Sequence, residues 1–239
     1  MIYLEIQVLA SSSEGNAYLI GDGATQILIE CGIPWKEIQK KTDFILPDAC
    51  IVSHSHGDHA KSIRDVIRYG VETYMSKETA SEICGDEPLY TLCPGSLMEH
   101  RKIFGIGSFL VNPLQMEHDV PCLGFYIYSQ HSKESLFFAT DTCCIPYKFD
   151  GGLDYIMVEA NYDIDILNDR IMQGYLDPAM KNRLVKSHME IGQTILWLKK
   201  QNLNRTKRIY LLHLSNGSAN AAEFKQRTME ATGIPVTIA

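Results

Sequence analysis

Short apolar runs bounded by Gly, Ser, Asp or Pro recur along the whole chain and alternate with stretches of helical spacing, a pattern that predicts a mixed α/β fold. Ile2–Leu9, Asn16–Ile20, Gln26–Glu30, Cys50–Ser53 and Val71–Met75 read as strands in the first half. Leu123–Ser129, Ser135–Asp141, Asp154–Ala160, Arg208–Leu214 and Ile234–Ala239 repeat the style in the second. Helical periods cover Pro34–Lys41, Lys61–Tyr69, Lys77–Cys84, Met189–Gln201 and Ala219–Thr232, with Pro34 suited to a first helical position. No Pro/Ser-rich linker or low-complexity tract interrupts this alternation. Residues 1–239 therefore read as one domain of two similar αβ halves, divided near Pro121.

Charge narrows the function. Lys+Arg 22 against Asp+Glu 29 leaves a net charge of -7, so sequence-wide counterion release cannot drive binding to nucleic acid or to an anionic membrane. Any nucleic acid is expected to be held locally. The start, MIYLEIQVLASSS, carries Glu5 inside its apolar run and no basic leader. Nowhere do about 18 apolar residues follow one another. Seven cysteines form an odd count with no C-x-x-C pair, and the adjacent Cys143 and Cys144 cannot easily bridge each other. A soluble cytoplasmic chain with reduced thiols is expected, with Cys143 and Cys144 as small core residues.

The Cys50–Ser53 run leads straight into His54-Ser55-His56-Gly57-Asp58-His59, three of the chain's 8 histidines within six positions. His54 and His56 lie two apart at a strand end and should project to one side, while Gly57 lets the backbone turn and presents Asp58 and His59 to a neighbouring point. Imidazole and carboxylate donors suit Zn(II), Mn(II) or Fe(II), and a position left open for water makes such a site catalytic.

This HSHGDH segment resembles the His-x-His-x-Asp-His signature of the metallo-β-lactamase fold. LASSSEGNAYLI followed by ILIECG is similar to that fold's two opening strands, although Glu30 stands where the family usually carries Asp. MEHD, FFATDT, EANYD, KSHMEIGQ and IYLLHLS then supply His118, Asp141, Glu159, His188 and His213 in the family's order. The likeness covers almost all of the chain. It is greatest to the small single-domain phosphodiesterase and exonuclease branch (YycJ/WalJ-like), with kinship to the tRNA 3′-end-processing endonuclease and the cyclic-phosphate phosphodiesterases.

The resemblance implies a four-layer αββα sandwich and two divalent metal ions, Zn or Mn first and Fe as a further option. His54, His56 and His118 would hold one ion, Asp58, His59 and His213 the other, with Asp141 bridging both. A metal-bridging hydroxide would attack a phosphodiester, and His188, outside the seven ligands, would protonate the leaving oxygen. Asp58 and His188 are thus the catalytic candidates, and Glu159 is a candidate to orient an imidazole. The expected activity is a nuclease, 5′-to-3′ exonuclease-like, on DNA or RNA ends. The alternatives are a phosphodiesterase of a small cyclic phosphate or cyclic nucleotide, and a regulatory scaffold without chemistry. His100 and His131 read as surface residues. The five cations of Lys199–Arg208 read as a solvated helix end that could also attract a phosphate.

Overall fold

Ser13 and Glu14 reverse the chain between β1 (Glu5–Ser12) and β2 (Gly15–Gly21), which pair antiparallel down to Ser12 opposite Gly15. The apolar run predicted the first strand over Ile2–Leu9, but ladder bonds rather than side chains carry its polar end, so the strand sits three residues later. The computed structural model describes residues 2–85 and 97–239. It divides into two units, Met1–Gln115 with Val120–Glu134, and Met116–Asp119 with Ser135–Ala239.

In the first unit β3 (Gln26–Ile29) pairs antiparallel with β2, and β4 (Ala49–Ile51), β5 (Glu72–Ser76) and β6 (Leu97–Met98) continue the sheet in parallel, in the order β1-β2-β3-β4-β5-β6. The crossovers are helical, as parallel neighbours require. Helix α1 (Trp35–Lys41) follows Pro34 as expected. The predicted Lys61–Tyr69 helix is α3 (Ile63–Arg68), preceded by one further turn, α2 (Gly57–Ala60), and α4 (Lys77–Cys84) is capped by Ser76, whose side chain accepts from the Thr79 N–H. Strands β7 (Phe104–Ile106), β8 (Phe109–Met116) and β9 (Cys122–Ser129) are neighbours in that order. Sequence periodicity missed β8 because Asn112 and Pro113 interrupt its apolar run. The strand tolerates a proline that donates nothing to a ladder, and the Pro113 carbonyl still accepts from the Arg101 N–H at 2.8 Å. With β9 beside β8, the first unit runs past the divide expected near Pro121 and ends at Glu134.

The second unit carries β10 (Ser135–Ala139), β11 (Tyr155–Glu159), β12 (Arg208–Leu212) and β13 (Val236–Ile238), all parallel, in the order β13-β12-β11-β10. All five residues of β10 are buried, the mark of a parallel strand covered on both faces. Phe137 and Phe138 are fully enclosed. Helix α5 (Ile164–Met172) starts at Asp163 and α6 (Pro178–Ser187) at Asp177, each cap carboxylate accepting backbone N–H bonds. The Asp177-Pro178 pair, a cap followed by proline at the first helical position, was the sequence signal for α6. Helix α7 (Ile191–Lys199) is capped by Glu190, which accepts from the Gln193 N–H, and α8 (Ala221–Thr232) ends at Gly233 in the left-handed region. No described helix is long and apolar enough to cross a membrane.

Candidate functional site

Apart from His188, the site residues singled out in the sequence lie at or after the carboxyl ends of strands in both units, where α/β sheets leave backbone and side chains free to meet a ligand. In the first unit the chain leaves β4 through Val52, whose N–H still donates to Tyr74 at 3.0 Å, and then turns at Ser53. His54 is fully buried, and its Nδ1 lies 2.8 Å from Ser53 Oγ and 3.8 Å from Cys122 Sγ. A hydroxyl held on Nδ1 fixes the imidazole so that Nε2 is the donor left for a cation. His56 occupies the cap position of α2, and its carbonyl accepts from the N–H groups of His59 and Ala60 at 3.0 and 2.9 Å. That single helical turn, rather than a glycine conformation, brings Asp58 and His59 round. Gly57 has no positive φ, and an added Cβ there would meet nothing within 4 Å.

The three imidazoles pack into one patch, His54 with ring centroids 4.7 Å from His56 and 4.2 Å from His59. Asp58 Oδ2 is 3.4 Å from His59 Nε2, and Asn16 Nδ2 is 3.2 Å from the same nitrogen. Glu30 is completely buried at the end of β3 with φ 62. Its carboxylate accepts from the Ser53 N–H at 3.3 Å and faces His59 Nδ1 at 3.6 Å. It thus supports the histidine loop from behind. Cys31 N–H donates to the His59 carbonyl at 2.8 Å, and a Cβ on Gly32 would stand 1.6 Å from the Asp58 carbonyl oxygen. Glycine at 32 is what lets this loop lie against the end of β3.

In the second unit the parallel register sets Ala139 beside Val158 and Glu159 beside Leu212, so Asp141, Glu159 and His213 emerge along one edge. Asp141 and His213 both adopt positive φ, 50 and 54. Non-glycine residues hold that conformation only where their surroundings dictate it. Asp141 Oδ1 lies 3.2 Å from His213 Nδ1, and its Oδ2 lies 3.9 Å from His118 Nε2. His118 Nδ1 donates to the Ser187 carbonyl at 3.1 Å, leaving Nε2 as its ligating nitrogen.

Glu159 is fully buried and is the hub of this cluster. Its Oε1 is 2.7 Å from His188 Nδ1 and 3.1 Å from His213 Nδ1, while Oε2 accepts from the N–H groups of Met189 at 3.1 Å and Thr142 at 3.2 Å. Burial alone would raise its pKa, but the charge and hydrogen bond of His188 and the bond from His213 outweigh that and hold the carboxyl below its ordinary value. Conversely, burial pulls the His188 pKa down, and Glu159 followed by Asp141 more than reverses this, so His188 keeps its proton to higher pH than a free histidine. His188 precedes a helix, as its sequence context suggested, and it is also the C-cap of α6, its N–H donating to the Leu184 carbonyl at 2.9 Å, with Ser187 the last residue of that helix.

Donor atoms of Asp141, Glu159, His188 and His213 lie within 4.8 Å of one another. Mixed imidazole and carboxylate donors of this kind fit a Zn, Mn or Fe ion, and their burial supplies the water-poor surroundings in which a cation is bound tightly. The seven expected ligands divide between the units, His54, His56, Asp58 and His59 in the first and His118, Asp141 and His213 in the second. His100 and His131 are exposed, as expected. Cys144 is exposed and Cys143 half-buried, not core, because the chain turns outward straight after Asp141. Cys31, Cys50, Cys84, Cys122, Cys143 and Cys144 are all free thiols, and Cys93 lies outside the described residues. The cationic Lys199–Arg208 run is partly neutralised, with Arg205 2.6 Å and Lys207 3.9 Å from the Asp154 carboxylate.

Comparisons with known proteins bear on the family and the fold. The family described as the beta-lactamase superfamily domain matches residues 25–214. Exodeoxyribonuclease WalJ of Streptococcus pneumoniae is 26% identical over 243 residues, covering 95% of this chain and 87% of its own. Exodeoxyribonuclease YycJ of Bacillus anthracis is 25% identical over 232 residues, covering 89% and 83%. Among solved structures, the metallo-beta-lactamase fold protein YhfI from Bacillus subtilis superposes with a TM-score of 0.73 at 16% identity, covering 99% of this chain and 97% of that one. The short form of human tRNase Z gives 0.62 at 16% identity, covering 98% and 95%. At such identities the structures speak to the fold alone.

Proposed function

Since this chain belongs to the beta-lactamase superfamily and has its mixed α/β fold, we propose that it is a metal-dependent phosphodiesterase that removes nucleotides from DNA ends, 5′-to-3′ in direction. The observation that carries the reading is His188, a histidine additional to the seven expected ligands, clamped through Nδ1 by buried Glu159 at 2.7 Å. Hydrolysis of a β-lactam or thioester has no use for a proton donor in that place, whereas departure of an alkoxide from phosphorus needs one. The names of the two exodeoxyribonuclease relatives favour a nucleic-acid end over a small diester.

In this reading His54, His56 and His118 would hold one divalent ion and Asp58, His59 and His213 the other, with Asp141 available to both. Bound there, two such ions supply Lewis acidity and activate water near neutral pH. Ser53 and the Ser187 carbonyl fix the tautomers of His54 and His118. Glu159 holds the imidazole of His188 with Nε2 directed away from the clamp, as the proton donor to the leaving 3′-oxygen or 5′-oxygen. Glu159 raises the pKa of that imidazole above its ordinary value.

The test is cleavage of single-stranded DNA labelled at its 5′ end, with Mn(II) or Zn(II), by the parent and by Asp58→Ala. Mononucleotide or ladder products from the parent, with metal content reduced and turnover down by about three orders of magnitude in the variant, are the expected result. Full activity in Asp58→Ala would sink the two-ion reading. Turnover of a cyclic phosphate with no cleavage of DNA would replace the nuclease reading by a small-diester one.

A further inference from the structure

The acidic chain carries segments of opposite character, and one of them is a helix. Helix α6, Pro178–Ser187, contains Lys181, Arg183 and Lys186 and no acidic residue, and its one acidic neighbour, Asp177, is engaged as the N-cap. Lys181 donates to Asn168 Oδ1, whereas Arg183 and Lys186 are exposed and make no ion pair among the described residues. Arg183 and Lys186 are three apart on one helical face, where like charges repel each other. The helix C-terminus favours Lys186 in its last turn, but among the described residues no carboxylate pairs with either side chain, and both stand open to an external anion. In the more obvious cationic run, Lys199–Arg208, Arg205 and Lys207 are by contrast paired with Asp154.

Exposed flat and polarizable side chains flank these charges. Tyr175, in the turn leading to α6, is 72% exposed, and Met172 and Met180 are 78% and 54% exposed. Cations alternating with an exposed aromatic ring form the combination that holds single-stranded nucleic acid, the cations tracking the phosphates and the ring stacking on a base. The helix also ends at His188, which is its C-cap. A strand lying along α6 is therefore delivered to the residue that protonates the leaving oxygen.

We infer that α6 and Tyr175 form the track for the single-stranded portion of the substrate, with Arg183 and Lys186 on consecutive phosphates and Tyr175 stacked on a base. This rests on the nuclease reading above. It also explains how a chain of net charge -7 engages a polyanion: the contact is confined to one helix.

The test uses the metal-loaded protein with a fluorescent 20-nucleotide phosphorothioate single strand, which resists cleavage, and bis(p-nitrophenyl) phosphate as a small diester that cannot reach along α6. R183E/K186E should weaken oligonucleotide binding by at least about tenfold and make the plot of log affinity against log salt shallower by about 1.4, two phosphates at about 0.7 each. Small-diester turnover should be unchanged, which also reports an intact fold. Y175A should lose about fivefold or more in affinity while Y175F retains it. A parent that binds the strand, with R183E/K186E matching it in affinity and slope, overturns this inference alone. A parent that hydrolyses the small diester but binds no oligonucleotide overturns the nuclease reading and this inference together.

Discussion

Glu30, Asp141 and His213 each close a strand in the left-handed region, with φ 62, 50 and 54. At a non-glycine residue that conformation costs of order 1–3 kcal/mol and persists only where packing dictates it. The hydrogen bonds found here supply the compensation: Asn161 Nδ2 donates to the His213 carbonyl at 2.8 Å, and Thr140 Oγ1 donates to Asp141 at 3.1 Å. Gly32 meets the same demand from the other side, by having no Cβ where the Asp58 carbonyl passes. Gly32→Ala should therefore push the histidine loop away, costing about 2–3 kcal/mol and lowering bound metal. Urea unfolding and metal analysis of the purified variant check this, and unchanged values for both would show that the loop can yield. His188→Ala tests a different role. Metal content should stay as in the parent while turnover falls about 100-fold for a poor leaving group and much less for p-nitrophenolate; an equal loss for both would remove the proton-donor role.

At the scale of elements, the parallel strands β10, β11 and β12 present their last residues along one edge, and helices α5 and α6 are fixed by caps rather than by strongly apolar faces. Asp163 does two jobs for α5. It accepts from the Asp165 and Ile166 N–H groups and pairs with Arg227 of α8 at 2.6 Å. Burial alone would raise its pKa, but the Arg227 hydrogen bond, the two backbone bonds and the Arg227 charge together hold the carboxyl below its ordinary value. A carboxyl depressed in the folded state stabilises fully above its unfolded value of about 3.9 and loses that contribution as pH falls through the lower folded value. Asp163→Asn keeps an acceptor at the cap and loses the charge. It should cost about 1 kcal/mol at pH 7 and clearly less at pH 3; equal costs in urea unfolding at both pH values would show that the ion pair contributes nothing.

Over the whole molecule, imidazoles and carboxylates are gathered in buried surroundings that a cation would reward, so metal binding and folding should be linked. Chelation is expected to lower Tm, and adding back Mn(II) or Zn(II) to restore it, the bound metal stabilising the fold by about 2.7 kcal/mol per site at a free metal concentration of 100 Kd. A Tm indifferent to chelator in a protein shown to have lost its metal would contradict the link. Much of this was legible in the chain. The mixed α/β class followed from apolar runs and helical periods, and the histidine-rich turn after β4 marked its own chemistry because its residues are sequence neighbours. Strand β8 was hidden by Pro113, and α5 and α6 by weak apolar patterns whose caps at Asp163 and Asp177 were the readable sign. Tertiary structure alone decided the rest: that Glu159 grips His188 and His213, 29 and 54 positions away in the chain, that Asp154 pairs with Arg205 and Lys207, and that Arg183 and Lys186 of α6 stay exposed. Local pattern fixes what a segment prefers, because backbone propensity and periodic burial act over a few residues. Which distant side chains share a proton or a charge depends on strand order and register, and those are settled only when the sheets form.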